Sequence, residues 1–490
     1  MTLKKSGKAG SGYAGKTEMK KPMVKEEKVE TTATDGGTVV ATTPALPGTK
    51  KMKAPPELLR GFRDILPEEQ PRWQLLRDTV RGFATAYSFE RIDLPILERT
   101  DLFLRTVGRQ TDIVEKEMYS FIDASEEHVS LRPEATVSIA RAYINHGMVN
   151  LPQPVKLWYE GPMFRHDRPQ AGRYRQFHQV GFEMLGSDEA IVDAQLILIA
   201  TRMMRDLGLD VTIQVNSIGT AETRQAYVAE LVRYFRPLRN KLSEDDKRRL
   251  QKNPLRLLDS KDPALQELLP GAPQIVDRLD EDSKNHFMKV LEFLDEVEVP
   301  YVLDPYLVRG LDYYTRTVFE LWEAGDTGDR AQNALGGGGR YDGLLEQLSG
   351  RPTPACGFAL GMERIARTLT DKGVVPQNVN KAKIFFAQLG DAARRSGLRM
   401  FEAFREAQIP VVEAFGKNAL KAQLEVANKL GVRYTLILGQ KEVLDGTIIV
   451  RDMESGAQEI VDAGKIVLIM KKKLQVNLDK LNEVGQTTDA

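Results

Sequence analysis

The chain has 490 residues, enough for roughly three domains of ordinary size. A single cysteine excludes a disulfide framework, and the five histidines are too scattered to suggest a zinc cluster. The 69 basic and 69 acidic residues cancel, so the net charge indicates no class of partner. The longest apolar runs are far shorter than the ~20 residues of a membrane-spanning helix, and we expect a cytoplasmic protein with no membrane contact.

The N-terminal 55 residues differ in composition from the rest. They contain 11 lysines, no arginine and five acidic residues, a charge of +6, which leaves −6 on the other 435 residues. They cannot bury enough apolar surface to offset their ordering entropy, so residues 1–55 are predicted to be a disordered Lys-rich tail. Gly10–Thr17 fits the phosphate-binding pattern G-x-x-x-x-G-K-[ST]. No strand precedes it and no amphipathic helix follows, so it indicates flexible chain.

After this tail, helical and strand-like patterns follow one another. Apolar residues recur at helical spacing from Trp73 to Tyr87 and predict a helix over 67–88. Alternation in Phe89–Leu97 predicts a strand, with Pro95 favouring a sheet edge. The further predictions are helices at 131–147, 188–207 and 361–369, strands at Val155–Arg165, Arg175–Leu185 and Val318–Trp322, a mostly helical stretch at 220–297, and a glycine-rich turn before the last of these helices.

Beyond a break near residues 371–381, strands and helices alternate over about 90 residues, which indicates a separate α/β domain at 381–470. Its predicted elements are strands at Ile384–Ala387, Pro410–Glu413, Tyr434–Leu438 and Gly446–Arg451, and helices at 390–407 and Leu420–Leu430. Residues 471–490 are predicted to be a polar, fraying tail.

Four arginines fall within the eleven residues from Arg165 to Arg175, between strand-forming and aromatic segments. A solvated charged loop is one interpretation. The other rests on alternation, because period-two positions of a strand share one sheet face. The residues that would share it are Arg165, Arg175, Phe177, Gln179 and Glu183. Guanidinium groups on a rigid strand suit a polyphosphate, and an aromatic ring beside them suits an adenine.

Two further segments combine cations with aromatic residues or glycine. Arg309 stands near the paired tyrosines Tyr313 and Tyr314, which offer hydrogen-bonding groups beside a fixed cation. Gly336–Gly339 would let a ligand approach the backbone closely, although such a run is more often a loop. Arg364 falls in the first turn of a predicted helix, where it could reach a phosphate or remain solvated.

Together these segments resemble the class II aminoacyl-tRNA synthetases, and among them the histidine-specific family, from about Leu58 to Val467. The segments that carry the resemblance are Leu58–Asp64, the helix with the Pro95 strand, the Arg165 hairpin, Asn253–Lys261, Arg309–Tyr314, Gly338–Gly343 and Gly361–Arg364. The resemblance implies an α+β fold, with an antiparallel-sheet catalytic domain, a helical insertion and a C-terminal α/β anticodon-binding domain. The implied boundaries are 56–219 and 301–375 for the catalytic domain, 220–300 for the insertion and 381–470 for the anticodon-binding domain.

The same resemblance implies roles for individual residues. The implied catalytic residues are Arg309 and Arg165. ATP would contact Arg165, Arg173, Phe177 and Arg364, and histidine would contact Glu134, Thr136, Gln179, Glu183, Arg309, Tyr313 and Tyr314. Arg309 would bridge the histidine carboxylate and the α-phosphate, where other class II enzymes rely on a metal ion. Mg²⁺ would accompany the outer phosphates, with its protein ligands unknown. The implied partners are L-histidine, tRNA(His) and a second copy of the chain in a homodimer.

The main alternative is a synthetase-like protein without catalysis, such as the regulatory subunit of ATP phosphoribosyltransferase. Such proteins typically lack the anticodon-binding domain and have an altered Arg309 segment, whereas this sequence has both. One residue departs from the family's pattern, since Ala135 stands where many members have glycine in Arg-Pro-Glu-Gly-Thr. Its methyl group is compatible with a helix start and could narrow the amino-acid pocket.

Overall fold

The computed structural model describes residues 56–108, 111, 113–168, 172–260, 262–324, 334–374, 376 and 382–474. Gly10–Thr17 and the predicted N-terminal tail lie outside the described residues, as do residues 475–490, so the predictions for these segments stay predictions. The chain divides into two units, Met1–Glu57 and Leu58–Ala490, and the fold below is that of the second.

The strands of the described residues are β1 (Glu90–Arg91), β2 (Leu97–Arg99), β3 (Tyr119–Ile122), β4 (His128–Leu131), β5 (Val155–Phe164), β6 (Gln176–Leu185), β7 (Val211–Ser217), β8 (Tyr301–Leu303), β9 (Thr315–Glu323), β10 (Ala334–Arg340), β11 (Ala355–Gly361), β12 (Ile384–Gln388), β13 (Val411–Glu413), β14 (Tyr434–Leu438), β15 (Thr447–Asp452) and β16 (Gln458–Asp462).

The α-helices are α1 (Gln70–Ala86), α2 (Thr100–Thr106), α3 (Thr136–Asn145), α4 (Ala190–Asp206), α5 (Ala221–Phe235), α6 (Glu244–Lys252), α7 (Pro263–Gln266), α8 (Glu281–Glu296), α9 (Leu344–Ser349), α10 (Met362–Asp371), α11 (Asp391–Glu406), α12 (Leu420–Leu430), α13 (Gln440–Asp445) and α14 (466–474). Within the described ranges, no helix is both long and apolar enough to cross a membrane.

The larger sheet has eight strands in the order β1-β5-β6-β11-β10-β9-β7-β8. Its centre is antiparallel, and the edge strands β1 and β8 pair parallel with their neighbours. On one face, helices α1, α4, α8 and α10 cover a core in which Phe182 stacks on Phe358 with 5.3 Å between ring centroids. Helices α3, α5, α6 and α9 contribute to the core on the other face. A sheet packed on both faces is a rigid support for side chains that must hold a ligand.

The prediction of a glycine-rich turn before α10 is wrong. Gly336–Gly339 lie within β10, between β9 and β11 at the centre of the sheet. A Cβ atom on Gly338 would come within 2.1 Å of the carbonyl oxygen of Gly357 on β11, so the backbone there leaves no room for a side chain. Alternation can be recognised only from side chains, and a run of glycines has none, so the sequence gives no strand signal here.

The prediction of one strand over Phe89–Leu97 is wrong for residues 92–96. Only the ends of this segment form strands, in β1 and at the start of β2. Pro95 has no N–H to donate to a ladder. The carbonyl oxygen of Leu94 instead accepts a hydrogen bond from Nη1 of the buried Arg132, at 2.9 Å. The chain thus crosses from the large sheet to the small sheet β2-β4-β3 through an irregular segment fixed by one arginine.

Residues 220–297 are mostly helical, as predicted. Helices α5, α6 and α8 begin after Thr220, Ser243 and Asp280, and each of these side chains accepts a hydrogen bond from the backbone N–H three residues further on. Such caps satisfy an N–H group that would otherwise lack a partner at the helix start. Helix α8 packs against α4 in the first core, so it joins the helical stretch to the sheet.

The C-terminal sheet has the order β13-β12-β14-β15-β16, parallel from β13 to β14 and antiparallel beyond. The predictions of strands β12, β13, β14 and β15 and of helices α11 and α12 are confirmed. β16 escapes prediction because four of its five residues are exposed and show no alternation. The prediction of a fraying tail from Lys471 is wrong for residues 471–474, which continue α14, and Met470 and Leu474 pack into the core.

Candidate active site

A cleft of about 380 Å³ opens beside β5, β6, β9, β10 and β11. Ten of the eleven site residues named from the sequence line it: Glu134, Thr136, Arg165, Arg173, Phe177, Gln179, Arg309, Tyr313, Tyr314 and Arg364. The eleventh, Glu183, is buried, and its carboxylate accepts a hydrogen bond from Thr136. The sheet therefore gathers into one place residues that are widely separated in the sequence.

Two arginines are held in the cleft by backbone carbonyl groups. Arg165, at the end of β5, donates from Nε to the carbonyl oxygen of Pro133 at 2.9 Å, and its Cζ lies 5.4 Å from the ring centroid of Phe177. Arg364, in the first turn of α10, donates from Nη1 to the carbonyl oxygen of Ala334. Both partners are neutral carbonyl groups, so neither hydrogen bond neutralises the positive charge that these arginines present to a ligand.

The positive charges in the cleft act on one another. The pKa of Arg364 is lowered to about 10, first by burial and then by the charges of Arg173 and Arg165. Arg173 is paired with Asp167, with 3.3 Å from Nη1 to Oδ2. Guanidinium groups collected against their mutual repulsion favour a ligand with several negative charges, and their geometry matches phosphate oxygens.

Arg309 lies at the side of the cleft formed by β9 and β10. Its Nη1 forms an ion pair with Oε1 of Glu320, and its Cζ lies 5.6 Å from the ring centroid of Tyr314. Its Nε is buried and, within the described part of the chain, has no hydrogen-bond partner. The guanidinium is thus held by an acid and a ring, and still has an N–H group to offer.

A hydrogen-bonded carboxylate lies deeper, at Glu183. Its Oε1 accepts from the hydroxyl of Thr136 at 2.8 Å and its Oε2 accepts from the hydroxyl of Tyr341 at 2.7 Å. A Cβ atom on Gly357 would lie 1.5 Å from Oε2, so the carboxylate occupies the space that this glycine leaves. Both oxygens are therefore fixed, and the direction in which Glu183 accepts a further hydrogen bond is fixed with them.

A second carboxylate, Glu134, stands before α3. It accepts hydrogen bonds from the backbone N–H groups of Thr136 at 2.7 Å and Val137 at 3.0 Å, and from the hydroxyl of Tyr313 at 3.4 Å. Ala135, between Glu134 and Thr136, is fully buried and is the N-cap of α3. Its methyl group is therefore accommodated at the helix start. Fixed carboxylate oxygens of this kind suit an ammonium group.

The buried polar atoms at the cleft that lack partners among the described residues include the hydroxyl of Tyr159 and Oε1 of Gln179. Both residues line the cleft. Buried polar groups in folded proteins are normally hydrogen-bonded, so each is available to a ligand. The ring of Tyr159 lies against Gly181, where an added Cβ atom would come within 2.4 Å of it.

Burial raises the pKa of the Glu183 carboxyl to about 8, although the hydrogen bonds from Tyr341 and Thr136 lower it. In the unfolded chain a glutamate titrates at about 4.3. The folded protein therefore keeps a proton over a range in which the unfolded chain has lost it, and the associated stability disappears as the pH rises through about 8.

We expect the free energy of unfolding to fall more steeply between about pH 5 and pH 8 in the wild type than in Glu183→Gln, because glutamine has no proton to lose. Urea unfolding at a series of pH values measures both slopes. Equal slopes for the two proteins would show that Glu183 does not titrate in this range.

Arg224 of α5 connects the helical stretch to the segment of the paired tyrosines. Its Nη1 donates to the carbonyl oxygens of Asp312 at 2.9 Å and of Tyr314 at 2.8 Å. These two bonds bracket Tyr313, whose hydroxyl contacts Glu134. A helix outside the sheet therefore fixes the backbone of the residues that face the cleft.

The structure also corrects one expectation and adds residues that the sequence did not suggest. Arg175 does not line the cleft beside Arg165. It donates to the carbonyl oxygens of Asp167 and Arg60, both at 3.3 Å. Tyr159, Tyr341 and Glu320 are the additions. Glu320 had a signal in the sequence, because it is the single charged residue of Val318–Trp322.

The arrangement defines a class of protein. Arginines on an antiparallel β5–β6 hairpin and in the first turn of the helix after β11, around one antiparallel sheet, form the catalytic core of a class II aminoacyl-tRNA synthetase. A family model described as histidyl-tRNA synthetase matches residues 61–365, and a second, described as an anticodon binding domain, matches residues 374–473. The chain belongs to the histidyl-tRNA synthetase family.

Individual relatives agree. A histidine–tRNA ligase of Halorhodospira halophila is 47% identical over 408 residues, which are 82% of this chain and 95% of the relative. A histidine–tRNA ligase of Dehalococcoides mccartyi is 43% identical over 416 residues, 85% of this chain and 99% of the relative. The crystal structure of an apo histidyl-tRNA synthetase of S. aureus is 35% identical with a TM-score of 0.70, covering 84% of this chain and 99% of that one.

Proposed function

We propose that this protein ligates L-histidine to tRNA(His) in two steps, through a histidyl-adenylate. The observation that carries the proposal is the position of Arg309. It lines one cleft together with a cluster of arginines suited to a polyphosphate and with a fixed carboxylate, Glu134, suited to an ammonium group. Family membership supports the same activity.

In the first step the histidine carboxylate oxygen attacks the α-phosphorus of ATP, and the bond to the β,γ-pyrophosphate breaks. Both reactants are anionic, so catalysis rests on positioning and on charge neutralisation. In our proposal Arg165 holds the α-phosphate, Arg173 and Arg364 hold the distal phosphates, and Phe177 stacks on the adenine. Arg309 contacts the histidine carboxylate and the α-phosphate together, and so acts where the new bond forms.

Recognition of histidine requires partners for both ring nitrogens, because an unpaired buried polar group is what excludes analogues. We assign the imidazole to Glu183 and Tyr314, a carboxylate and a phenol that suit one N–H donor and one lone pair. The α-amino group is assigned to Glu134, Thr136 and Gln179. The unpartnered Oε1 of Gln179 supports this assignment.

Mg²⁺ enters this proposal as part of the substrate, bound to the outer phosphates of ATP, with phosphate oxygens as its ligands. In the portion of the chain that the structure describes, no group of three or more His, Cys, Asp or Glu side chains is arranged to hold a metal ion. The carboxylates of Glu134, Glu183 and Glu320 are each engaged by protein donors. The chain's own contribution around the phosphates is its arginines.

In the second step a terminal ribose hydroxyl of the tRNA attacks the carbonyl carbon of the adenylate, and AMP leaves. We assign the anticodon to the C-terminal α/β domain and the acceptor end to the loop His166–Tyr174. RNA is recognised by its shape and by its unstacked bases. We further propose a cytoplasmic homodimer that forms through the segment of α1 and β1, the first class motif.

The test is ATP–pyrophosphate exchange with purified protein and MgATP, run in parallel with each of the twenty amino acids, followed by charging of tRNA(His). Exchange should depend on histidine alone. Well-folded protein without exchange above background would contradict the proposal and would favour the non-catalytic reading, a regulatory subunit of ATP phosphoribosyltransferase.

Arg224 offers a test of the link between α5 and the amino-acid pocket. Arg224→Ala leaves two backbone carbonyl groups without their hydrogen-bond donor. This should lower the free energy of unfolding by about 1–3 kcal/mol. We expect kcat/KM for histidine in the exchange reaction to fall about tenfold, since the segment of Tyr313 loses its support. The exposed Arg233→Ala on the same helix is the control. Equal kcat/KM for both variants would exclude a role of Arg224 in the pocket.

A further inference from the structure

A largely buried acid stands beside Arg309 in the cleft to which we assign two anionic substrates. Glu320 lies on β9, lines the cleft, and has a side chain only 18% exposed. A carboxylate at this place repels the phosphates of ATP and the carboxylate of histidine. Its presence therefore needs a function that outweighs the repulsion.

Both carboxylate oxygens of Glu320 are engaged. Oε1 pairs with Nη1 of Arg309, and Oε2 accepts a hydrogen bond from Nε1 of Trp322 at 3.2 Å. Trp322 lies two residues further along β9, on the same face of the strand. The indole N–H thus fixes the carboxylate, and the carboxylate fixes one end of the guanidinium.

The neighbouring strand leaves room for this pair. A Cβ atom on Gly337 of β10 would lie 2.9 Å from Nη1 of Arg309 and 3.1 Å from Cγ of Glu320. The ring of Tyr314 lies against the guanidinium, with 5.6 Å between its centroid and Cζ. Arg309 is therefore enclosed by an acid, a ring and a glycine backbone, and its orientation is set by three different elements of the site.

We propose that Glu320 is a positioning residue that holds the guanidinium of Arg309 in the orientation needed to contact two anions at once. Because Nη1 is paired with Glu320, rotation of the planar guanidinium is restrained. The remaining N–H groups of the guanidinium therefore stay directed at the substrates. Trp322 supports Glu320 in this role. The proposal rests on the function proposed for the cleft, and it adds an acid that the bound anions do not touch.

The test is Glu320→Gln in histidine-dependent ATP–pyrophosphate exchange. Glutamine has the same size but carries no charge to hold Arg309, so we expect kcat to fall about 10- to 100-fold, as a misplaced catalytic group does. KM for ATP should stay unchanged or decrease, because a negative charge has left the cleft. A merely structural defect would not separate the two constants in this way.

The supporting residue provides a double-mutant cycle. We expect Trp322→Phe to lower kcat about 3- to 10-fold, the effect of one lost hydrogen bond. Trp322→Phe should add little to Glu320→Gln, because both act through one contact. Likewise, Glu320→Gln should add little in an Arg309→Ala background. Additive losses in either cycle would overturn the proposal.

Glu323→Gln is the matched control, because Glu323 lies on the same strand, is 33% exposed and pairs with Lys372. It should exchange like the wild type. Unchanged kcat in Glu320→Gln, or a loss confined to KM for ATP, would contradict the positioning role. If Glu320→Gln does not fold, as judged by thermal unfolding, Trp322→Phe gives the deciding kcat. A wild-type protein without exchange would instead refute the proposed function.

Discussion

Arg309→Ala should lower kcat of histidine-dependent ATP–pyrophosphate exchange by about 10²–10³-fold, equivalent to ~3–4 kcal/mol of transition-state stabilisation. The reason is that this guanidinium lines the cleft with the arginine cluster, is held by Glu320, and has at Nε an N–H group without a partner among the described residues. Negative charge increases around the α-phosphorus as the carboxylate attacks. The ring of Tyr314 lies against the guanidinium, with 5.6 Å between its centroid and Cζ of Arg309, and helps to hold it in place.

Binding of histidine should suffer much less. In our assignment the imidazole and the α-amino group contact Glu183 and Glu134, which Arg309→Ala leaves in place. An interaction made chiefly in the transition state affects turnover more than affinity. Steady-state exchange and calorimetric titration with histidine measure the two effects, with the exposed Arg405→Ala of the C-terminal domain as the control. An equal loss in affinity and in turnover would mean that Arg309 only binds substrate.

Gly357→Ala should damage the amino-acid pocket although residue 357 need not touch the substrate. The new Cβ atom would lie 1.5 Å from Oε2 of Glu183, so this carboxylate must move and lose its alignment with Tyr341. We expect kcat/KM for histidine to fall about 10- to 100-fold, because a buried hydrogen-bonding group of the pocket is left misaligned. Overpacking should also cost about 1–3 kcal/mol of stability.

Gly416→Ala is the control for this prediction, because no atom lies within 4 Å of the Cβ position in this exposed turn after β13. It should exchange normally and should be at least as stable as the wild type, since alanine leaves the unfolded chain less conformational freedom than glycine does. Exchange kinetics with varied histidine, together with urea unfolding, measure both effects. A Gly357→Ala protein with normal kcat/KM would show that Glu183 is not held where the structure has it.

The hairpin β5–β6 could be predicted closely from the sequence because its signal is local. Strand-forming residues flank a polar loop, and the observed strands end within one residue of the predicted limits, at Phe164 and Gln176. The position of Arg175 could not be predicted in this way. It follows the strand pattern but turns to the carbonyl oxygens of Arg60 and Asp167, a contact that depends on a distant segment of chain.

The rest of the site depends on pairing between strands, which no single segment contains. Tyr341 reaches Glu183 only because β11 brings the end of β10 beside β6. The partnership of Glu320 with Arg309 needs β9 and the preceding loop to meet, and a glycine on β10 to leave the space. The resemblance to a family implied which residues contact ligands, and ten of those eleven residues line the cleft. It did not name those that hold them in place.

The mutual repulsion of Arg165, Arg173 and Arg364 has a thermodynamic consequence. It opposes folding of the protein on its own: burial lowers the pKa of Arg364 most, and the charges of Arg173 and Arg165 lower it further. A polyanion that binds only the folded protein removes this repulsion and adds stability by mass action, about 2.7 kcal/mol at a concentration one hundred times its Kd. In this view the nucleotide is a ligand for folding as well as a reactant, and the melting temperature reports the supply of ATP.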